Sequence, residues 1–263
     1  SPHDFQMRPS DATMLSSADI VIWAGPALTP WLDEPLDNLT NGAVRLELLN
    51  TANWKPRPIT EDDHDDHDDH DDHDDHDDHD DHADHGPDTH GHGNLDPHAW
   101  LDPVIAIAWT RHIADTLAAT DPANAEIYHH NAEELVLDLD LLVADLTIVL
   151  ERAHGRGFVV PHDAFGYFED RFALPATASI AANDHSDPGP SHLNELRGIV
   201  LSGDVTCVLT EPGPDQGWAT ILTDGTNAKT AQIDLTGATL PTGPDLYPTM
   251  MRNMAAALND CMS

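Results

Sequence analysis

The sequence has very little positive charge. Its 263 residues hold 11 Lys and Arg against 48 Asp and Glu, which gives a formal net charge of −37. Such a chain repels nucleic-acid phosphates and anionic membrane surfaces, so the composition argues against both as partners and favours a cationic ligand. Long hydrophobic runs are also missing, since no apolar stretch reaches the ~20 residues that a membrane-spanning helix needs.

Cysteine is scarce as well. Cys207 lies in an apolar, strand-like run, and Cys261 lies in the last turn of the predicted C-terminal helix. The residues alone leave two alternatives open, namely two reduced buried thiols or one disulfide. A bond would join the terminal helix to a sheet, would stabilise the fold by about 2–4 kcal/mol, and would imply an oxidising compartment.

A segment rich in His and Asp interrupts the first half of the chain. The triplet Asp-Asp-His occurs seven times between Asp62 and His82, and no apolar residue occurs from Glu61 to His82. A three-residue period fits neither a strand nor one face of a helix, so we predict a disordered, solvated loop over residues 61–94. Asp alone would provide solubility, and the added imidazoles predict weak accessory metal binding. The candidate ligands are His64, His67, His70, His73, His76, His79, His82, His85, His90 and His92.

Strand-like apolar runs alternate with helical patterns on both sides of this loop. Such alternation predicts an α/β fold with parallel sheets flanked by helices. The segment from Ala123 to His154 lacks Gly and Pro, and spacings of three and four predict one buried helix face. The predicted face consists of Leu135, Leu139, Leu142, Leu146 and Leu150. We expect two lobes, at residues 1–120 and 155–263, joined by a long rigid helix at residues 121–154.

Candidate metal ligands lie in turns or at the ends of strands. His3, His98 and His162 each occur in a turn that contains proline, which fixes the backbone beside the imidazole. Glu211 and Asp234 lie at the ends of two strand-like runs, and in open α/β folds ligands bind at the carboxyl ends of strands. Because His98 and His162 flank the long helix, an ion bound by both would lie in a cleft between the lobes.

Four segments resemble one family. Residues 1–11, 96–103 and 162–168 are similar to the three metal-ligand motifs of the zinc-binding periplasmic proteins of ABC transporters, the ZnuA type. Residues 206–212, together with Cys261, resemble a subgroup with a disulfide in the C-terminal lobe. An acidic, His-rich loop between the first two motifs is also typical of that group.

The resemblance implies Zn²⁺ held by His3, His98 and His162, a Cys207–Cys261 disulfide, a periplasmic location, and an ABC membrane permease as partner. It implies Asp234 as the fourth ligand, with Glu211 or water as alternatives. Three imidazoles with at most one carboxylate favour zinc over manganese. Family members carry a signal peptide and a strand–helix–strand ahead of the first motif, so we expect this chain to be N-terminally incomplete.

Three functions fit these features. The first is a monomeric, non-enzymatic receptor that captures zinc for uptake. The second is a zinc hydrolase, although no motif supplies a general base. The third is a secreted metal buffer or adhesin in which the His/Asp loop is the main binding element.

Overall fold

The computed structural model describes residues 2–40, 42–59, 95–181, 188–213 and 217–263. The predicted loop at residues 61–94 and its ten accessory histidines lie outside the described residues. No helix within the described ranges combines the length and the apolarity needed to cross a membrane.

Within these ranges the chain alternates eight α-helices with six short β-strands. The elements are α1 (Pro9–Ser16), β1 (Ile20–Trp23), α2 (Asp33–Leu39), β2 (Val44–Glu47), α3 (Pro103–Thr120), α4 (Ala125–Leu150), β3 (Gly157–His162), α5 (Gly166–Phe172), β4 (Ala178–Ala181), α6 (Pro190–Ser202), β5 (Val205–Thr210), α7 (Trp218–Thr223), β6 (Lys229–Gln232) and α8 (Leu246–Met262). Asp102 caps the N-terminus of α3, because its carboxylate accepts a hydrogen bond from the Val104 amide at 2.8 Å.

All strand pairs in the two described sheets are parallel, as the sequence predicts. The N-terminal sheet contains β1 and β2, and the C-terminal sheet has the order β4-β3-β5-β6. The chain runs from β3 outward to β4 and then returns to the other side of β3, so the strand order reverses between β3 and β5. Such a reversal opens a crevice at the carboxyl ends of the two strands. The uniformly apolar sequence of β1 predicts a buried strand, and this prediction is wrong, since no residue of β1 is fully buried and Ile22 is 38% exposed.

The long helix α4 links the two halves of the molecule. It packs against α3 on the N-terminal side and against α8 on the C-terminal side. Its buried face consists of Val136, Leu139, Leu142, Leu146 and Leu150, and these residues share one core with Phe158 and Phe168 of the C-terminal lobe. The predicted face is therefore confirmed except at Leu135, which is 37% exposed because the helix presents Val136 to the core instead.

The C-terminal lobe differs from the sequence prediction at one strand. We predicted that β6 carries Asp234, but the strand ends at Gln232 and Asp234 lies in the loop that follows. In the same lobe, a disulfide joins Cys207 of β5 to Cys261 of α8, and both residues are buried. This bond fastens the last helix to the middle of the sheet.

We expect loss of the disulfide to destabilise the protein without changing its fold. Its partners are 54 residues apart in sequence, so replacing both with Ala should lower the free energy of unfolding by about 2–4 kcal/mol through a less constrained unfolded chain. Urea unfolding of the wild type and of the Cys207→Ala/Cys261→Ala variant measures this difference. A reductant should destabilise the wild type alone, and equal stability of the two proteins would contradict the prediction.

Candidate metal centre

A cavity of about 500 Å³ lies between the two lobes. Residues before α1 and before α3 contribute from the N-terminal side, and the last residue of β3 and residues after β5 and β6 contribute from the C-terminal side. Its lining consists of Pro2, His3, Phe5, His98, Trp100, His162, Glu211, Pro212, Asp234, Leu235, Thr236 and Ala238. No Lys or Arg is among these lining residues, whereas two carboxylates are, so the described wall suits a cation.

His3 and His98 meet across this cavity. His3 lies in a short 3₁₀ turn, Pro2–Asp4, which Trp31 anchors by donating its indole hydrogen bond to the Pro2 carbonyl at 2.8 Å. The Nε2 atoms of His3 and His98 lie 3.5 Å apart. Two nitrogens bound to one tetrahedral zinc at 2.0–2.1 Å would be about 3.3–3.4 Å apart, so this pair already has nearly the required spacing.

Asp96 fixes the orientation of His98. The Asp96 Oδ1 atom accepts a hydrogen bond from the His98 backbone amide at 3.0 Å and lies 2.9 Å from His98 Nδ1. Both side chains are buried, with 2% and 8% of their surface exposed. A carboxylate on Nδ1 favours the tautomer whose Nε2 is free to bind a metal. The sequence prediction missed this role, although the signal was present in a carboxylate two residues before the histidine.

His162 ends β3, and Glu211 directly follows β5, so both lie at the reversal of strand order. The His162 Nδ1 atom is 3.3 Å from Glu211 Oε1, and the His162 ring centroid is 5.4 Å from that of His98. The three predicted histidines therefore come together from three separate segments. Glu211 therefore lies on the same ring nitrogen of His162 as Asp96 does on His98, but its contact is longer and is not a hydrogen bond.

Asp234 lines the same cavity, but its carboxylate is already engaged by its own loop. Oδ1 accepts hydrogen bonds from Thr236 and Ala238, and Oδ2 accepts two from Thr239 at 2.7 Å. Burial raises the pKa of Asp234, but the hydrogen bonds from Thr239, Thr236 and Ala238 outweigh it and hold the pKa below its ordinary value. Asp234 is thus ionised at neutral pH.

The described side chains do not yet form a closed coordination shell. Within the described ranges, no group of three or more His, Cys, Asp or Glu side chains is already arranged to hold a metal ion. His3 and His98 have suitable spacing, whereas His162 and Asp234 would have to turn from their present partners towards a shared ion. The structure therefore brings the predicted residues to one cavity, and binding of one ion by all of them would require side-chain rotations.

Tyrosine and tryptophan side chains, buried at Tyr167 and partly buried at Trp100 and Tyr247, hold the ligand loops in place. Trp100 donates its indole hydrogen bond to the Leu235 carbonyl at 2.8 Å, and Tyr247 donates its hydroxyl to the Trp100 carbonyl at 2.7 Å. The segment that carries His98 is thereby fastened to the segment that carries Asp234. Tyr167 donates to the Asp96 carbonyl at 3.2 Å and accepts from the Arg57 amide at 2.8 Å. The sequence prediction included none of these three aromatic residues among the site residues.

Comparison with known proteins identifies related chains. The family described as "Zinc-uptake complex component A periplasmic" matches residues 1–261. A similar protein from Brucella suis biovar 1 (strain 1330), named "High-affinity zinc uptake system protein ZnuA", is 38% identical over 275 residues, and the match covers 100% of this chain and 82% of the relative.

Solved structures share the fold at low sequence identity. A variant of the laminin-binding adhesin (Lmb) from Streptococcus agalactiae has a TM-score of 0.76 at 20% identity, covering 100% of this chain and 88% of the other. A Zn(II)-bound variant of AdcAII from Streptococcus pneumoniae has a TM-score of 0.73 at 23% identity, covering 98% and 86%. At these identities the likeness concerns the fold alone, and it supports the two-lobe α/β architecture.

We expect all three tyrosines to resist ionisation in the folded protein. Burial raises the pKa of Tyr167 to about 12, burial also raises that of Tyr247, and a hydrogen bond to Asp121 raises that of Tyr128. Because each folded-state pKa exceeds the ordinary value of 10.0, the associated stability is present below that pH and is lost as the pH rises through the folded pKa.

Absorbance at 295 nm during a rapid alkaline titration measures tyrosine ionisation directly. The folded protein should form little tyrosinate at pH 10, whereas the urea-unfolded control should be about half ionised there. Two or more tyrosines that titrate normally in the folded protein would contradict the packing around the ligand loops, because Tyr167 and Tyr247 contact those loops whereas Tyr128 contacts Asp121.

Proposed function

The chain belongs to the family of periplasmic zinc-uptake components, and we propose that it captures Zn²⁺ between its two lobes and delivers the ion to an ABC membrane permease. One observation carries the proposal for the cleft. Imidazoles from three separate segments meet at one cavity, and the first two have their Nε2 atoms 3.5 Å apart.

His3, His98 and His162 are the proposed nitrogen ligands. Neutral imidazole is a common zinc ligand, and a carboxylate on the opposite ring nitrogen orients the ring and makes it a better donor. Asp96 supplies that carboxylate to His98, and Glu211 lies in position to supply it to His162. Three nitrogen ligands with at most one carboxylate suit zinc more than manganese.

Asp234 is the proposed fourth ligand. It lines the cavity, and its lowered pKa keeps it ionised. To bind the ion it must release one or more of the hydrogen bonds from its loop, which links coordination to movement of residues 236–239. Glu211 is the weaker candidate because its carboxylate lies beside His162 Nδ1, where it acts as an orienting partner.

The remaining features agree with a periplasmic receptor. The Cys207–Cys261 bond favours an oxidising compartment, and the net charge of −37 disfavours nucleic acid as a partner. We propose a monomer that binds and releases its ion without catalysis. The membership of an uptake family favours this function over a hydrolase built on the same histidines.

The main alternative is a metal buffer or adhesin whose binding element is the His/Asp loop. One structural relative is named as an adhesin, but its likeness to this chain at 20% identity concerns the fold alone. The segment preceding the loop is closed onto its far end, since Pro58 and Leu95 form an antiparallel bridge and the Asp96 amide donates to the Arg57 carbonyl at 2.9 Å. Residues 62–92 can therefore be removed between two ends that the protein already holds together.

We expect one tight zinc site that depends on His98 and not on the loop. A competitive titration against a chelator of known affinity should find this site in the wild type and in a variant that lacks residues 62–92. His98→Ala should abolish it, because a tetrahedral site loses one of its nitrogens. His112→Ala is the matched control, since His112 is not part of the cavity lining and its ring nitrogen lies 2.9 Å from the Ala52 carbonyl oxygen.

Two results would contradict the receptor proposal. Tight binding that disappears with residues 62–92 and ignores His98→Ala would assign the main site to the loop. Equal losses in His98→Ala and His112→Ala would indicate a nonspecific effect of removing a histidine.

The fourth ligand can be identified with cobalt in place of zinc. We expect Asp234→Asn to change the visible spectrum of bound Co²⁺, because the oxygen donor itself changes. Glu211→Gln should keep the spectrum and lower the affinity by about tenfold, as expected for an outer partner. A spectral change in Glu211→Gln alone would make Glu211 the ligand, and no change in either variant would indicate water.

A further inference from the structure

Arg57 is one of only 11 Lys and Arg residues in the chain, and its guanidinium lies beside Asp96, the carboxylate that contacts His98. Its side chain is 23% exposed. The Nη1 atom is 3.4 Å from Asp96 Oδ2, and the Nε atom is 3.5 Å from Asp170 Oδ2 of α5. Because the other oxygen of Asp96 orients His98, a single carboxylate separates the guanidinium from the histidine ring.

Gly166 gives a second, independent observation. A Cβ atom built on this residue would overlap the guanidinium of Arg57. The φ angle of Gly166 is outside the left-handed region, so its backbone conformation does not require glycine. The space that the missing side chain leaves is occupied by Arg57. Glycine at the first position of α5 thus leaves room for a side chain from the other lobe.

The backbone of Arg57 is fixed as firmly as its side chain. Its amide donates to the Tyr167 hydroxyl at 2.8 Å, and its carbonyl accepts from the Asp96 amide at 2.9 Å. Tyr167 in turn donates to the Asp96 carbonyl at 3.2 Å. Arg57 therefore contacts the segment that precedes His98 and also the helix that follows the His162 turn.

We propose that Arg57 is a positioning residue that acts through Asp96. The guanidinium holds Asp96 Oδ2, so that Oδ1 stays on His98 Nδ1 and the Nε2 atom of His98 faces the cleft. Its place against Gly166 fixes the distance between the segments that carry His98 and His162. This inference rests on the proposed zinc function and adds a residue that contacts no ion.

Four variants of the full-length chain test the proposal. Arg57→Ala removes the guanidinium, Arg57→Lys keeps its charge but loses its two-pronged shape, Gly166→Ala displaces it, and the double variant Arg57→Ala/Gly166→Ala removes the clash. Arg252→Ala is the matched control, because Arg252 pairs with Asp145 at 3.9 Å between α8 and α4. The tight-site zinc affinity of each is measured by chelator competition.

We expect Arg57→Ala to weaken zinc binding by about tenfold, at the low end of the range for groups that orient metal ligands. Gly166→Ala should produce a similar loss, and the double variant should lose no more than either single variant, because both changes remove the same contact. Arg57→Lys should be intermediate, and Arg252→Ala should bind as the wild type does. Unchanged affinity in Arg57→Ala, or additive losses in the double variant, would overturn the proposal.

A second measurement separates positioning from general stability. Imidazole ¹⁵N chemical shifts of the zinc-free protein report the tautomer of His98, which should be Nδ1–H in the wild type and mixed in Arg57→Ala. A lower melting temperature with an unchanged tautomer would reduce Arg57 to a structural contact and overturn the inference, even where Gly166→Ala fails to fold. If the wild type lacks a tight site that depends on His98, the proposed function fails, while the tautomer still tests the link through Asp96.

Discussion

The buried carboxylate of Asp96 is the contact on which the rest of the site depends. Its side chain is 2% exposed, and its two oxygens serve two different partners, His98 on one side and Arg57 on the other. A buried carboxylate without such partners would carry a large desolvation cost. Asp96 therefore depends on contacts from both His98 and Arg57 to remain buried in its charged form. The same residue also ties the end of the His/Asp segment to the cleft through its backbone.

The sequence indicated which histidines would share a cavity, but it did not indicate their present contacts. His3, His98 and His162 occur in turns that contain proline, and the three-dimensional arrangement brings all three to one cavity. Periodicity located the face of α4 but placed its first residue at Leu135, because Leu135 and Val136 are equally apolar and only tertiary packing chooses between them. Asp234 was assigned to the end of a strand because the apolar residues Ile233 and Leu235 flank it, whereas pairing with β5 ends at Gln232.

Long-range polar contacts were beyond prediction from one sequence. Nothing in the local pattern indicates that Arg57 lies against Gly166 more than one hundred positions away, or that Tyr247 reaches the Trp100 carbonyl. These contacts depend on how the lobes pack around α4. They determine the angles of the ligands, whereas local sequence determines which ligands are available.

The bridge between Pro58 and Leu95 has a consequence for how this gene can vary. It holds the two ends of the intervening segment together, since Pro58 and Leu95 pair with each other directly. For the unordered chain that the sequence predicts there, doubling the length costs only about 0.6 kcal/mol of closure entropy. Each Asp-Asp-His unit is encoded by a whole number of codons, so replication slippage can add or delete units in frame. Natural isolates can therefore differ in repeat number while they share one unchanged cleft.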